Sequence, residues 1–160
     1  MELNVSLSEA IKPIEAEKVA DFIAALQKDN GEIPWSVGGK TDPWDHIESA
    51  MGLSIAGYFS QAERAYQWLA STQLADGSWW SETKDGVIIN STKETNFAAY
   101  IAVGVYHHYL ITGDVDFLKT MWSGIQRRYQ QSKAPCLIHQ ELDISLRAVR
   151  DLLIHEAEKL

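Results

Sequence analysis

The chain is poor in cysteine and in basic residues. Cys136 is the only cysteine among 160 residues, so no disulfide can form within the chain, and we expect a reducing, cytoplasmic location. There are 14 Lys and Arg against 22 Asp and Glu, which gives a net charge of −8. Non-specific nucleic-acid binding needs clustered basic side chains, so we expect no nucleic-acid partner from composition.

Long apolar runs and nucleotide-binding motifs are also missing. A membrane helix needs about 18 or more apolar residues, and the longest candidate, Phe97–Val105, is far shorter. The first ten residues, MELNVSLSEA, have neither the basic start nor the apolar run of a signal peptide. There is no P-loop, no GxGxxG and no nucleophile elbow. We therefore predict no membrane span and no cofactor.

The sequence does contain an internal repeat rich in tryptophan. Phe22–Trp35 reads FIAALQKDNGEIPW and Trp68–Trp80 reads WLASTQLADGSWW, 46 positions further on. Each copy has an apolar helix end, a Gln, a polar turn with Gly, and then Trp. A fixed period of this length is typical of stacked helical units.

Apolar spacing predicts helices joined by short loops. The predicted helices are Pro13–Lys28, a second from Thr41 to about Phe59, a third from Ser60 to Thr72, Thr95–Thr112, Asp114–Gln131, and a tail helix at Asp143–Leu153. A short strand is predicted at Val87–Ile89 and an extended segment at Ala134–Ile138. The prediction is an all-α fold of antiparallel helical hairpins.

Three local signals mark helix ends. Asp42 before Pro43 has the form of an N-cap followed by proline in the first turn. Ser60 and Glu63 have the spacing of a capping box. Gly113 follows the most apolar helix, where a C-terminal glycine is expected.

Most of the chain resembles known α/α-toroid proteins. TDPWDHIESAMGL (Thr41–Leu53), AERAYQWLASTQLADGSWW and ETNFAAYIAVGVYHHYLITGD (Glu94–Asp114) resemble bacterial prenyltransferase-like proteins and terpenoid cyclases. HHYLITGDVDFLKTMW (His107–Trp122) is similar to six-hairpin glycosidases as well. The resemblance covers residues 14–124. It implies an incomplete toroid of about three hairpins in residues 1–125, from an isoprenoid- or carbohydrate-processing enzyme.

The tail resembles a different family. WSGIQRRYQQSKAPCLIHQELDISLRAVRDLL (Trp122–Leu153) is similar to part of the ribonuclease E/G family. That family's metal-binding aspartates lie in other segments, which have no counterpart in this chain. We therefore assign residues 126–160 to a tail, with a junction between Met121 and Arg127 that is either a natural fusion or an accidental join.

Three carboxylates are candidate catalytic groups. Asp45 and Glu48 share a helix face near an expected cavity mouth, and Glu94 precedes the most apolar helix. Asp45 or Glu48 paired with Glu94 would supply the two carboxyls of a glycosidase. The alternative is that Asp45 and Glu48 only stabilise a helix N-terminus by charge.

Five further side chains are candidates for substrate binding: Trp44, His46, Asn96, Tyr100 and Trp79. Polar and aromatic groups at the end of an inner helix would face a ligand cavity. For Trp79 the alternative is structural, with Gln73 bonding to nearby backbone and Asp76 ordering the turn.

No metal site is predicted. His107 and His108 are adjacent, so they point in different directions on a helix and cannot easily share an ion. Residues 1–130 contain no cysteine, and neither DxDD nor DDxxD is present. These absences count against prenyl transfer and terpene cyclisation.

Three functions remain open from the sequence. The first is a truncated toroid domain of the prenyltransferase-like class, inactive alone. The second is a hydrolase or lyase acting on glycan in a cavity completed by a homodimer. The third is a non-catalytic interaction module or fusion fragment. An incomplete ring would expose the apolar face of Phe97–Tyr109, and this is why a second copy is expected to cover it.

Overall fold

The computed structural model describes residues 16–131 and Asp151. Within the helices, the side chains of a few residues lie outside that description: Thr95, Asn96, Ala98, Ala99, Ser123 and residues 126–131. The extended segment predicted at Ala134–Ile138 also lies outside it, as does the helix predicted at Asp143–Leu153 apart from Asp151, which is helical.

The regular structure of the described residues is helical apart from one small hairpin. Its elements are α1 (Ala16–Leu26), α2 (Pro43–Ile55), α3 (Phe59–Ser71), β1 (Glu82–Lys84), β2 (Val87–Asn90), α4 (Thr95–Thr112) and α5 (Val115–Gln131). Helix α2 packs against both α3 and α4, and α5 packs against α4 and α3. The predicted all-α class is confirmed, and the short strand predicted at Val87–Ile89 is present as part of β2.

The core lies where α2, α3, α4 and α5 meet. Its largest fully buried side chains include Tyr66, Ile47, Leu53, Leu69, Ile101, Leu118, Met121 and Ile125. Helix α4 approaches its neighbours closely at Gly104, where an added Cβ would lie 2.6 Å from Ile47 Cγ2 and 2.9 Å from Tyr66 Cε1. Tyr66 also donates its hydroxyl hydrogen to the Gly104 carbonyl at 3.0 Å. Glycine at this position lets α4 approach both neighbours closely.

The two copies of the repeat form matching turns. In the first copy, Gly31 N–H donates to Lys28 O, and Asn30 Oδ1 accepts from the backbone N–H two residues later. In the second copy, Gly77 N–H donates to Leu74 O, and Asp76 Oδ1 accepts from Ser78 N–H. Both glycines have positive φ, 95° and 72°. Asp76 therefore orders its turn as predicted.

Helix ends agree with most of the sequence signals. The Asp42 side chain caps α2 by accepting from Asp45 N–H at 3.0 Å, and Gly113 ends α4 in the left-handed conformation with φ 68°. The prediction that Ser60 and Glu63 form a capping box was wrong. Helix α3 begins at Phe59, its N-cap Tyr58 makes no side-chain capping bond, and Ser60 lies inside the helix. The second helix accordingly ends at Ile55 and does not continue to Phe59.

The β-hairpin was only half predicted. Strand β2 was expected, but its partner β1 was not, and the pair is antiparallel with Lys84 opposite Val87. The connecting residues Asp85 and Gly86 both have positive φ, 50° and 77°. Asp-Gly between two strands is the usual signal of a two-residue hairpin turn, so β1 could have been found from the sequence.

The apolar face of α4 is largely covered. Phe97, Ile101, Ala102 and Val105 are buried, which corrects the expectation that this face would be exposed. The large hydrophobic side chains of α4 that remain exposed, among those described, are Leu110 and Ile111 at its C-terminal end. None of the helices in the described part of the chain has the length and apolar character to cross a membrane.

Candidate functional site

An aromatic pair and a carboxylate meet at the N-terminal end of α2. Trp44 of α2 and Tyr100 of α4 stack with ring centroids 3.9 Å apart and planes 4° apart. The Trp44 indole N–H donates to Glu48 Oε1 at 2.8 Å, and the Tyr100 hydroxyl donates to the same oxygen at 3.1 Å. Trp44 and Tyr100 are partly buried, whereas Glu48 is exposed. We call these three residues the platform.

Asp42 organises the backbone beside the platform. One of its oxygens caps α2, and the other accepts from the Trp35 indole N–H. Its side chain is almost fully buried, with the residue 6% exposed. The buried carboxylate thereby fixes both the start of α2 and the position of the loop that carries Trp35.

Asp45 lies on the neighbouring face of α2. It lines a groove of about 280 Å³ together with Phe22, Ile23, Trp35 and other side chains of α1 and the following loop. Burial raises the pKa of Asp45 to about 6, with further increases from Asp42 and Glu48, while Lys40 lowers it. A carboxyl group with a pKa near neutrality can carry and release a proton, as a general acid requires.

Comparison with known proteins adds two matches. The Ribonuclease E/G family matches residues 101–160. The chain is also 46% identical over 112 residues to the MMP endo-(1,4)-3-O-methyl-alpha-D-mannosidase of Mycolicibacterium hassiacum. That alignment covers 70% of this chain and 31% of the mannosidase, so the chain spans about a third of that relative's length.

The two matches support some of the family resemblances seen in the sequence and not others. The chain is a partial homologue of a glycosidase, which supports the resemblance to glycan-acting enzymes. Neither match concerns a prenyltransferase, so that part of the resemblance gains no support. The ribonuclease match begins at Ile101, inside α4 and well before the expected junction near Met121–Arg127. Within the described residues, this matched segment contributes Ile101, Leu118 and Ile125 to the same core as α2 and α3.

Two of the candidate binding residues occupy structural positions. His46 is 1% exposed; its Nδ1 accepts from Ile33 N–H at 3.2 Å, so Nε2 carries the proton and donates to Ala65 O at 2.9 Å. Burial lowers its pKa, which keeps the ring neutral. Trp79 is 3% exposed and donates its indole N–H to Leu69 O at 2.8 Å. Both rings thereby hold turns against helix α3.

The remaining candidates lie near the start of α4. Glu94 is exposed, occupies the N-cap position of α4, and accepts from the Ser81 hydroxyl at 3.3 Å. It makes no hydrogen bond with the platform residues. The side chain of Asn96 lies outside the described residues. The structure thus brings Trp44, Glu48 and Tyr100 into contact, with Asp45 beside them, and leaves Glu94 in a separate hydrogen-bonded pair.

No cluster of three or more His, Cys, Asp or Glu side chains that could hold a metal ion occurs in the described part of the chain. His108 is completely buried and contacts Ser54 Oγ through Nδ1 at 2.8 Å. Its other nitrogen lies 3.7 Å from Glu63 Oε1. Ser54 is itself fully buried, and its hydroxyl also lies 2.9 Å from Ala50 O, so His108 and Ser54 form a core contact, while the Glu63 side chain is 33% exposed.

A larger cavity lies on the other side of the α2 N-terminus, beneath the β-hairpin. Its volume is about 600 Å³, and we call it the hairpin cavity. Trp68, Trp79, Trp80 and Ile88 form aromatic and apolar walls, and the polar lining residues are Lys28, Asn30, Glu32, Thr41, Asp42, Thr72, Thr83 and Asp85. Sequence reasoning did not identify this cavity, because it depends on contacts between segments more than 50 positions apart, such as Lys28 with Asp85.

Proposed function

We propose that the chain is the sugar-binding part of a glycan-acting enzyme of the α/α-toroid class. The observation that carries the proposal is the platform, in which Trp44 and Tyr100 both donate to one oxygen of Glu48. Within the described residues, the other carboxylate oxygen of Glu48 has no hydrogen-bond partner. It is therefore available to a sugar hydroxyl, while the stacked rings offer a flat apolar surface beside it.

In this proposal Asp45 and Glu48 form the carboxyl pair of a glycosidase, with Asp45 as the proton donor and Glu48 as the hydrogen-bond acceptor. Asp45, with its raised pKa, holds the proton that a leaving glycosidic oxygen needs. Glu48 is held by the platform as the acceptor that orients the sugar or a water molecule. Glu94, with Ser81, is the alternative second carboxyl for a substrate that extends along the start of α4.

The partial homologue suggests the substrate class. The name of that mannosidase specifies an endo-acting enzyme on (1,4)-linked 3-O-methyl-α-D-mannose units. A methylated sugar has an unusually apolar surface, which suits an aromatic platform better than a fully hydroxylated one. We therefore propose a 3-O-methylated α-mannan oligosaccharide as ligand.

The test combines binding with reducing-end release over a range of chain concentrations. Wild-type chain is expected to bind 3-O-methyl-α-(1,4)-mannan oligosaccharides, and the rate per chain should rise with concentration if dimerisation completes the site. Glu48→Gln and Asp45→Asn should each abolish release, with Glu17→Gln, an exposed carboxylate on α1, as the matched control. Full activity in both site variants, or absence of sugar binding by the wild type, contradicts the proposal.

The ribonuclease match supports a second candidate, an interaction module that contacts RNA or a ribonuclease through its C-terminal part. The acidic balance of the whole chain counts against direct RNA binding. A gel-shift titration of the full chain with single-stranded RNA, and co-purification with a ribonuclease of that family, test it. Absence of both interactions removes this candidate.

A further inference from the structure

The hairpin cavity is separate from the platform and makes a different set of contacts. It is lined by residues of the α1–α2 loop, the C-terminal end of α3, the segment between α3 and β1, and the β-hairpin, and none of the platform residues lines it. Its volume of about 600 Å³ falls within the range of small-molecule sites, roughly 300–1,000 Å³. The cavity is therefore large enough to be a binding site in its own right.

The β-hairpin that covers the cavity is fastened to the α1–α2 loop. Thr41 and Thr83 exchange two backbone hydrogen bonds of 2.8 and 2.9 Å. Lys28 Nζ reaches Asp85 Oδ1 at the turn, at 3.1 Å, and Lys40 pairs with Glu82. Because both ends of the hairpin are held, the cavity is a preformed space and not a gap between loose loops.

The polar end of the cavity is unsuited to an anion. Its charged lining groups are Lys28 against three carboxylates, those of Glu32, Asp42 and Asp85. Glu32 is 4% exposed and binds Lys28 at 3.1 Å and the Thr41 hydroxyl at 2.7 Å, so the single cation is already neutralised. A phosphate or diphosphate would meet excess negative charge there, whereas a neutral molecule would not.

The aromatic walls differ in how their indole groups are used. Trp79 donates its N–H to Leu69 O, as described above. Trp68 and Trp80 line the same cavity, are partly buried, and have no acceptor for their indole N–H among the residues the structure describes. Lys93 Nζ lies 4.8 Å from the Trp80 ring centroid, and the His46 ring centroid lies 4.7 Å from that of Trp68, so each indole already has one neighbour. The two unused indole donors and the carboxylates of the same lining suit a ring that carries both oxygen acceptors and hydroxyl donors.

We propose that the hairpin cavity is a second ligand site, which binds a neutral sugar unit between the Trp68 and Trp80 indoles and the Asp85 carboxylate. The indole N–H groups donate to ring or ether oxygens, and Asp85 Oδ2 accepts from a hydroxyl. This site does not require catalysis at Glu48. It would hold a sugar away from the reacting carboxyl groups, as an accessory site for a longer chain or for a separate saccharide.

Tryptophan side-chain resonances test the proposal in the unmodified full chain. The protein has six tryptophans, and each gives one indole N–H signal in a nitrogen-15 correlation spectrum. The probe is methyl 3-O-methyl-α-D-mannopyranoside, with inorganic pyrophosphate and geranyl diphosphate as anionic comparators. The sugar should shift the Trp68 and Trp80 signals and leave Trp79 nearly unmoved, because its N–H is bound to Leu69 O.

Two variants separate this site from the platform. Trp80→Ala should weaken the sugar-dependent shift of Trp68 by about tenfold or more in affinity, since stacking area is lost. Trp44→Ala, which removes the platform, should leave the Trp68 and Trp80 shifts intact. If Trp80→Ala unfolds the chain, the wild-type shifts still decide the matter.

Each outcome has a definite meaning. Shifts at Trp68 and Trp80 without one at Trp44 support the cavity site and count against the platform proposal, and the reverse pattern overturns the cavity site alone. The cavity proposal is also overturned if the diphosphates, and not the sugar, move Trp68 and Trp80. It fails equally if no indole signal moves at saturating sugar.

Discussion

Gln27 and Gln73 lie 46 positions apart and make the same pair of hydrogen bonds. Gln27 Nε2 donates to Gly31 O at 3.2 Å and to Gln61 O of α3 at 2.8 Å. Gln73 Nε2 donates to Gly77 O at 3.2 Å and to Gly124 O of α5 at 3.0 Å. Each amide therefore closes its own turn and ties that turn to a later helix, which explains why both copies of the repeat contain Gln.

Replacing these amides should destabilise the fold. Gln27→Leu or Gln73→Leu leaves two carbonyls without their donor, at a cost of about 1–3 kcal/mol each. Urea denaturation measures the loss, with Gln67→Leu on the exposed face of α3 as the control. A change in the two variants no larger than in the control would show that the paired bonds do not contribute to stability.

The close approach at Gly104 should not tolerate a methyl group. Gly104→Ala forces Ile47 and Tyr66 apart, and overpacking of this kind costs about 1–3 kcal/mol. Gly52→Ala is the matched helical control, because its added Cβ would meet only Ile23 Cδ1 at 3.8 Å. That variant should be neutral or gain up to about 1 kcal/mol from helix propensity. Equal melting temperatures for the two variants would contradict the described helix contact.

Asp45 should make stability depend on pH in a specific direction. Its pKa is raised in the folded state to about 6 from 3.8, so the folded protein holds this proton more tightly than the unfolded chain. The resulting stabilisation is complete below about pH 4 and is lost as the pH rises through 6. Asp45→Asn should therefore be more stable than wild type at pH 7–8, with the difference shrinking towards pH 4.

The measurement is the urea midpoint of both proteins across that pH range. Asp29→Asn, which changes an exposed carboxylate, controls for the general effect of net charge. A pH profile for Asp45→Asn that runs parallel to wild type would mean that Asp45 titrates normally in the folded protein.

The Tyr100 hydroxyl should matter for sugar binding more than for folding. Tyr100→Phe keeps the ring stacked on Trp44 but removes one of the two donors to Glu48, so stability should change by about 1 kcal/mol or less. Affinity for the methylated mannan oligosaccharide should fall, because Glu48 is less firmly oriented. Tyr106→Phe, on the same helix but outside the platform, is the control, and calorimetric titration gives both affinities. Unchanged affinity in Tyr100→Phe would remove this hydroxyl from the proposed site.

The parts of the fold that were predictable are those determined by neighbours in sequence. The bounds of α4, Thr95–Thr112, follow from its apolar run and Gly113, and the cap at Asp42 follows from the proline beside it. The wrong prediction of a helix start at Ser60 also comes from reliance on neighbours in sequence. The Ser60–Glu63 pattern and the hydrophobic Phe59 offer two adjacent positions at which the helix could begin, and it begins at Phe59. Local sequence rules cannot decide between two adjacent helix starts.

The candidate site was predictable in its residue types but not in its contacts. Charge and aromatic spacing selected Trp44, Asp45 and Glu48, which are close in sequence. The stacking of Trp44 on Tyr100 joins residues 56 positions apart, and the burial of His46 depends on the Ala65 and Ile33 backbone of other segments. Those contacts follow from how α2 packs on α3 and α4, and periodicity along one helix does not specify that.

The crowding of carboxylates at the start of α2 has a consequence for engineering. Burial and the neighbouring carboxylates of Asp42 and Glu48 raise the pKa of Asp45, and an amide at position 45 is expected to fold better near neutral pH. A selection for thermal stability alone would therefore remove Asp45 early. Consensus-style stabilisation of this chain should leave that turn of helix unchanged and direct its substitutions to exposed positions such as Val37 and Ile55.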